Sequence, residues 1–330
     1  MSRISETEEA ILKTIACYEA LGQYPLTAIE IYCYLQKENL SQPLPKLLEI
    51  MNLLAKSLLL KKYLGSQNGF FFFKENSDFY QKRIYRNKIS ISKWRKVKRI
   101  SVFLGLVPFL RGAAINGSLA INNTKPESDI DFLVFAKKGR IWTCRALLSF
   151  FLEIIGQRRH GIVIADKICL NHYIAEGSFL VTIQNTPNAQ LYSRLIPLIN
   201  YTDYQSFQEK NIPWLKDFIV SPFYKRQNHL RRIDEKSAVF RIGKRVGLFF
   251  ESILDMAGGK IIEKALGKRQ KERILAKTNR QPIGEDKLLL SDSMLMFHHP
   301  ICKNREVMEA YKKRLSLLFP SSPPSGMSAS

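Results

Sequence analysis

Residues 116–134 read NGSLAINNTKPESDIDFLV, and the fold turns on this stretch. Asp129 and Asp131 flank one residue at the start of an apolar run, Ile130 to Val134. On a strand, alternation puts both carboxylates on one face, about 7 Å apart along the chain, and turns Ile130, Phe132 and Val134 towards a core. Carboxylates held side by side repel unless a cation lies between them, and a hard divalent ion bound through oxygen suits such a pair. Gly117-Ser118, separated from Asp129 by ten residues, follows a second short apolar run, Gly112 to Asn116. A glycine there lets backbone approach an anion. The N–H groups of a short helix over Leu119, Ala120 and Ile121, with the Ser118 hydroxyl, can then hold phosphate. A phosphate site beside a two-carboxylate metal site is what phosphoryl or nucleotidyl transfer requires.

With Ile115, Gly117-Ser118 and Ser128-Asp129-Ile130-Asp131, the stretch resembles the signature of the nucleotidyltransferase superfamily that includes DNA polymerase beta. The wider chain, through Lys167 to Asn171 and on to Phe297-His298-His299-Pro300, resembles predicted bacterial and archaeal nucleotidyltransferases with an N-terminal winged-helix unit. The resemblance implies an α/β (α+β) nucleotidyltransferase core with a mixed sheet. It implies transfer of a nucleoside monophosphate from an NTP to an acceptor hydroxyl, with pyrophosphate released. Asp129 and Asp131 would be catalytic and bind Mg2+ or Mn2+, and Gly117 and Ser118 would bind the triphosphate. The superfamily usually adds a third carboxylate on a later strand. The best later strand here, Ile168 to Ile174, carries Asn171 where an acid is expected, with Asp166 just before it and Glu176 just after. Asp166 and Asn171 are therefore the candidates for that position. An asparagine can ligate through its carbonyl but cannot act as a base. Lys137, Lys138 and Arg140 follow the aspartate-bearing strand, and Lys138 and Arg140 are expected to neutralise phosphate charge. The acceptor stays open between RNA, protein and a small molecule. The alternative is a nucleic-acid-binding or regulatory protein on a degenerate nucleotidyltransferase scaffold.

Outward from this core, residues 1–75 read as a winged-helix-like unit. Thr7 to Leu21 forms one helix, ended by Gly22. Thr27 caps a second before Ile29 to Leu35, and Pro43 to Leu60 makes a third. A hairpin follows, with strands over 59–64 and 70–73 and Asn68-Gly69 at the turn. Residues 76–106 are a basic helical connector; Lys74 to Arg99 holds ten Lys or Arg against Glu75 and Asp78. Residues 107–186 form the core, with strands over 112–116, 130–135, 167–174 and 179–183 and a helix over 141–155. Residues 187–319 are mainly helical, clearest over 191–198, 204–218 and 241–262. Phe240, Leu248, Phe249, Phe250 and Leu254 serve there as core, and Arg231, Arg232, Lys236, Arg241, Lys244 and Arg245 form a positive face. The Pro/Ser-rich residues 320–330 read as a disordered tail.

The chain has 330 residues and a formal charge of +22, which favours a polyanionic partner such as NTP or nucleic acid. Five cysteines without a C-x-x-C pair argue against a disulfide framework and fit a reducing, cytoplasmic setting. No apolar run approaches the roughly 18 residues of a membrane span, so no integral membrane segment is expected. His172 with His298-His299 lacks the spacing of a helical zinc site.

Overall fold

The residue pattern of Ile130 to Ala136 demands cover on both faces, and the chain is built around that strand. The computed structural model describes residues 4–38, 40–161, 163–221, 232–278, 288–297 and 300–319. The expected tail from Pro320, the His298-His299 pair and Arg231 lie outside the described residues.

The N-terminal unit opens with α1 (Glu6–Gly22). The Ser5 hydroxyl accepts from the Glu8 N–H while the Glu8 carboxylate accepts from the Ser5 N–H, closing a capping box. After β1 (Leu26–Thr27), a second capping box between Thr27 and Glu30 starts α2 (Ala28–Tyr34). The single helix expected over 43–60 is instead two, α3 (Leu47–Lys56) and α4 (Leu58–Tyr63). Ser57 leaves the helical conformation and its hydroxyl caps α4 at the Leu60 N–H. Residues 59–63 are therefore helical, not strand. The hairpin consists of β2 (Leu64–Gln67) and β3 (Phe70–Phe73), and the turn residues Asn68 and Gly69 both have positive φ. The three strands form an antiparallel sheet in the order β1-β3-β2.

The basic connector is one 23-residue helix, α5 (Phe79–Ser101). It is more than a solvated charged face, because Arg86, Ser90, Lys93 and Trp94 are buried. Arg86 donates to the Gly22 carbonyl, 2.5 Å, and to Asn123 Oδ1, 3.2 Å. Lys93 donates to the Ser128 carbonyl, 2.6 Å. The helix thus ties the first unit to the loop that precedes the central strand.

That strand is β5 (Ile130–Ala136), preceded by β4 (Leu110–Ile115) and α6 (Gly117–Ala120). Next come α7 (Ile141–Ile154), β6 (Ile168–Ala175), α8 (Thr186–Tyr192), β7 (Ile196–Ile199) and α9 (Tyr201–Phe218). The chain continues through α10 (Ala238–Met256), α11 (Gly259–Thr278), β8 (Leu289–Leu290), β9 (Met294–Met296) and α12 (Pro300–Leu318). Among the described residues, six strands form one mixed sheet in the order β7-β4-β5-β6-β9-β8, in which β5 and β6 run parallel and the other neighbours antiparallel. Ile130, Phe132 and Val134 pack on one face with Trp94, Trp142 and Leu148, while Leu133 and Phe135 pack on the other with Tyr192, Phe207 and Trp214. Alternation places Asp131 on this second face, at the uncovered start of the strand.

Several expectations are corrected. Residues 179–183 form no strand; the Asn211 side chain takes the place of a neighbouring strand, accepting from the Val181 N–H and donating to the Phe179 carbonyl. Residues 191–198 are not one helix, because α8 ends at Tyr192 and Pro197 sits on the edge strand β7, where its missing N–H is tolerated. The C-terminal region therefore adds three strands to the sheet. The helix expected over 241–262 is broken at Gly258, which has φ +81°. Leu248, Phe249 and Phe250 are exposed rather than core. The packed face of α10 carries Phe240, Gly243, Gly247 and Glu251, and a Cβ on Gly247 would come 2.3 Å from the Gly105 carbonyl oxygen.

Glu251 anchors α10 to the sheet. It is buried and accepts from the Phe109 N–H, from Arg111 at 2.6 Å and from Lys137 at 2.8 Å. Burial alone would raise its pKa, but these donors outweigh burial and hold it at about 2, against 4.5 for an ordinary glutamate. A lowered folded value means stabilisation that is complete above the unfolded pKa and is lost as pH falls towards the folded one. Glu251→Gln is expected to cost about 3 kcal/mol near neutral pH. In urea unfolding, the gap between wild type and variant should close as pH drops from about 4.5 towards about 2; a gap that is constant with pH would contradict this role.

Candidate functional site

The site forms where β4 ends beside the start of β5. The Asn116 N–H still donates to the Asp131 carbonyl, 3.0 Å. The chain then turns at Gly117, with φ +65°. A Cβ on residue 117 would lie 2.5 Å from Asp131 Oδ2. Both the left-handed backbone and the closeness of the carboxylate therefore require glycine. The turn is closed locally, since Asn116 Oδ1 accepts from the Gly117 N–H, 2.6 Å, and the Ser118 carbonyl from the Asn123 N–H, 2.8 Å. Ser118 is half-buried beside this turn.

Three side chains converge next to it. Ligand atoms of Asp129, Asp131 and Cys169 lie within 4.8 Å of one another, a group that could hold a metal ion. The parallel register sets Asp131 opposite Cys169, then shifts so that Leu133 meets His172, which makes room for one extra residue on β6. Asn171 lies in that irregularity and its Nδ2 donates to Asp131 Oδ1, 3.1 Å. Arg159 Nη1 binds Asp129 Oδ2 at 2.5 Å and lies 3.4 Å from Cys169 Sγ. Burial first, then the charges of Asp131 and Asp129, push the Cys169 thiol up to about 12. The sulfur is a neutral, weak donor, so the pair of carboxylates is the strong part of the set. Oxygen donors of this kind fit a hard divalent ion that keeps part of its water.

The other expected residues go elsewhere. Asp166 forms an ion pair with Lys93, 2.7 Å, its carbonyl accepts from Lys96 and its N–H donates to the Ser128 carbonyl. It braces the loop before β5 and is not among the three converging ligands. Asn171, by contrast, does reach Asp131. Lys138 and Arg140 lie beyond the far end of β5, about 20 Å from Asp131 along the strand. Lys138 is exposed, and Arg140 is bound to Asp255 through Nε at 2.8 Å and Nη2 at 2.7 Å. Neither joins the carboxylates, because the full length of the strand intervenes. The cation at the site is Arg159, which the sequence reading passed over. Its signal is the segment returning from α7 alongside β6, where Arg158 bridges Ile168 and the Arg159 N–H donates to the Ile168 carbonyl. His172 is buried edge-on against Tyr192, and burial lowers its pKa to about 3, so it stays neutral and outside the ligand group.

No protein-family model, curated protein or solved structure matches this chain. Among the described residues, no helix is long and apolar enough to cross a membrane.

Gly117→Ala tests the central contact. The added methyl must displace Asp131 or unwind the turn, at about 1–3 kcal/mol of strain. Mn2+ affinity, read by electron paramagnetic resonance, is expected to fall at least about tenfold, the equivalent of 1.4 kcal/mol. Wild-type affinity in this variant would show that the turn does not shape the ligand group.

Proposed function

We propose that the chain is a metal-dependent nucleotidyltransferase that moves a nucleoside monophosphate from an NTP to an acceptor hydroxyl. One observation carries this reading: the Gly117 turn lies against the Asp131 carboxylate, which with Asp129 and Cys169 forms a group that could hold a metal ion, so a glycine turn of the kind that admits phosphate and a candidate cation site share one corner of the sheet. Asp129 and Asp131 would hold Mg2+ or Mn2+. When bound, the ion supplies neutralisation and polarisation of the triphosphate. The Gly117-Ser118 turn orients the phosphate oxygens through backbone and hydroxyl groups, and Arg159 adds a guanidinium suited to phosphate. The acceptor oxygen bonds to the α-phosphorus and the bond from that phosphorus to the bridging oxygen breaks. Pyrophosphate leaves, and the hydroxyl proton passes to water, since Asn171 has no basic group to take it.

The test is label transfer from each α-labelled NTP with Mg2+, in the presence of RNA and protein extract. Wild type is expected to label an acceptor, and Asp131→Asn to lose at least about a hundredfold, close to 3 kcal/mol of transition-state stabilisation. Equal rates in the two would overturn the assignment.

A second reading has its own support. Asn171, on the later strand where the resemblance implies a third acid, donates to Asp131, and Arg159 already pairs with Asp129. Both suit a nucleic-acid-binding or regulatory protein on a degenerate scaffold. We read the N-terminal unit as a winged helix on the basis of its β1-β3-β2 sheet. However, α3 exposes Leu48 and Met51 rather than a row of basic readers, which argues against base-specific recognition by that helix. This reading predicts salt-sensitive nucleic-acid binding without any transfer.

A further inference from the structure

A second basic feature lies away from the Gly117 turn. A cavity of about 710 Å³ opens between α7 and α11. Its walls carry Arg145 and Arg158 on one side and Arg269 and Arg273 on the other, against the single carboxylate of Glu153. That carboxylate is engaged by Arg158 at 3.5 Å and by His160 at 2.5 Å. Four guanidinium groups against one carboxylate, which pairs with Arg158, leave a surplus of three positive charges around the concavity.

The walls are held in place by contacts that do not consume this charge. Glu263 on α11 caps the start of α7, accepting from the Trp142 and Thr143 N–H groups at 2.9 Å each. Gly267 lets α11 approach Trp142; a Cβ there would be 3.0 Å from the indole ring. Arg145 is held by Gln270 and lies 4.6 Å from the Phe297 ring, yet its Nε is buried without a hydrogen-bond partner. Arg269 and Arg273 are exposed and form no ion pair with any described residue. They stand one helical turn apart, about 6 Å along α11, so they present two cations in a row. Phe150, also exposed, lies at the same cavity and offers an aromatic face.

We infer that this cavity binds the phosphodiester backbone of a single-stranded nucleic acid, with Arg145, Arg158, Arg269 and Arg273 taking phosphates and Phe150 stacking on a base. Guanidinium groups recognise phosphate through paired N–H donors, and an aromatic side chain beside a cationic groove is how single strands are held without sequence preference. A row of cations along a helix favours a polymer over one isolated phosphate. Arg158 directly precedes Arg159, which binds Asp129, so the segment lining this cavity also borders the carboxylate pair. The inference does not depend on the transfer reaction.

The test is fluorescence anisotropy of the full chain with a labelled oligouridylate of about twelve nucleotides. The paired variant R269E/R273E is expected to weaken binding at least about tenfold and to reduce the salt slope by about 1.4, the share of two phosphate contacts on a single strand. R269Q/R273Q, which removes charge without reversing it, should weaken binding in the same direction. K312E/K313E, on exposed residues of α12, makes the same change in net charge and should bind within about twofold of wild type. If K312E/K313E weakens binding as much as R269E/R273E, attraction is only general and the inference falls. It falls also if inorganic triphosphate binds at the cavity while the oligonucleotide does not, or if no variant changes affinity.

Discussion

The approach of Asp131 to the Gly117 turn is the constraint on which the rest of the site depends. A carboxylate can stand beside a turning backbone only if residue 117 lacks a side chain and takes up positive φ. That contact fixes where β4 ends relative to β5, since the Asn116 N–H continues the ladder to the Asp131 carbonyl just before the turn. It also fixes which face the carboxylates occupy. Ile130, Phe132 and Val134 must enter the core shared with α5 and α7, so Asp131 has nowhere to point but towards the turn.

The loop before β5 is held with comparable care. A buried lysine, Lys93, donates to the Ser128 carbonyl and pairs with Asp166, so a charge on the connector helix sets the start of the central strand. The cost of burying that lysine is offset by its being fully partnered. At the opposite end of β5, Lys137 and Arg140 are absorbed by Glu251 and Asp255 of α10. Positive charge is thus used structurally at both ends of the strand, and Arg159 is the basic side chain left to face the aspartates.

The sequence made the centre legible because only glycine fits the Gly117 turn against Asp131, and two aspartates flanking one strand residue converge on one side. Strand alternation then placed Asp129 and Asp131 correctly relative to the core. Arg159 and Cys169 stayed hidden because their places come from the parallel register of β5 and β6, a pairing across many residues that no local pattern encodes. Lys138 and Arg140 looked close to the aspartates in sequence, but a seven-residue strand separates chain neighbours that a turn would have kept together. The peripheral strands β7, β9 and β8 were missed for a related reason. They are short and contain Pro197 or only two or three residues, so propensity says little and pairing with the existing sheet decides. On α10, aromatic density suggested core, and Phe240 does pack there, but Leu248, Phe249 and Phe250 face outward while the glycines at 243 and 247 make the close approach.

The most direct test of the central claim is Mn2+ binding measured by electron paramagnetic resonance with and without a non-hydrolysable NTP analogue, in wild type, Asp129→Asn and Asp131→Asn. If the turn and the carboxylates form one site, nucleotide and metal should each tighten the other by at least about fivefold in wild type, a coupling near 1 kcal/mol, and by nothing in either variant. Metal binding that ignores both the nucleotide and the two substitutions would contradict the account.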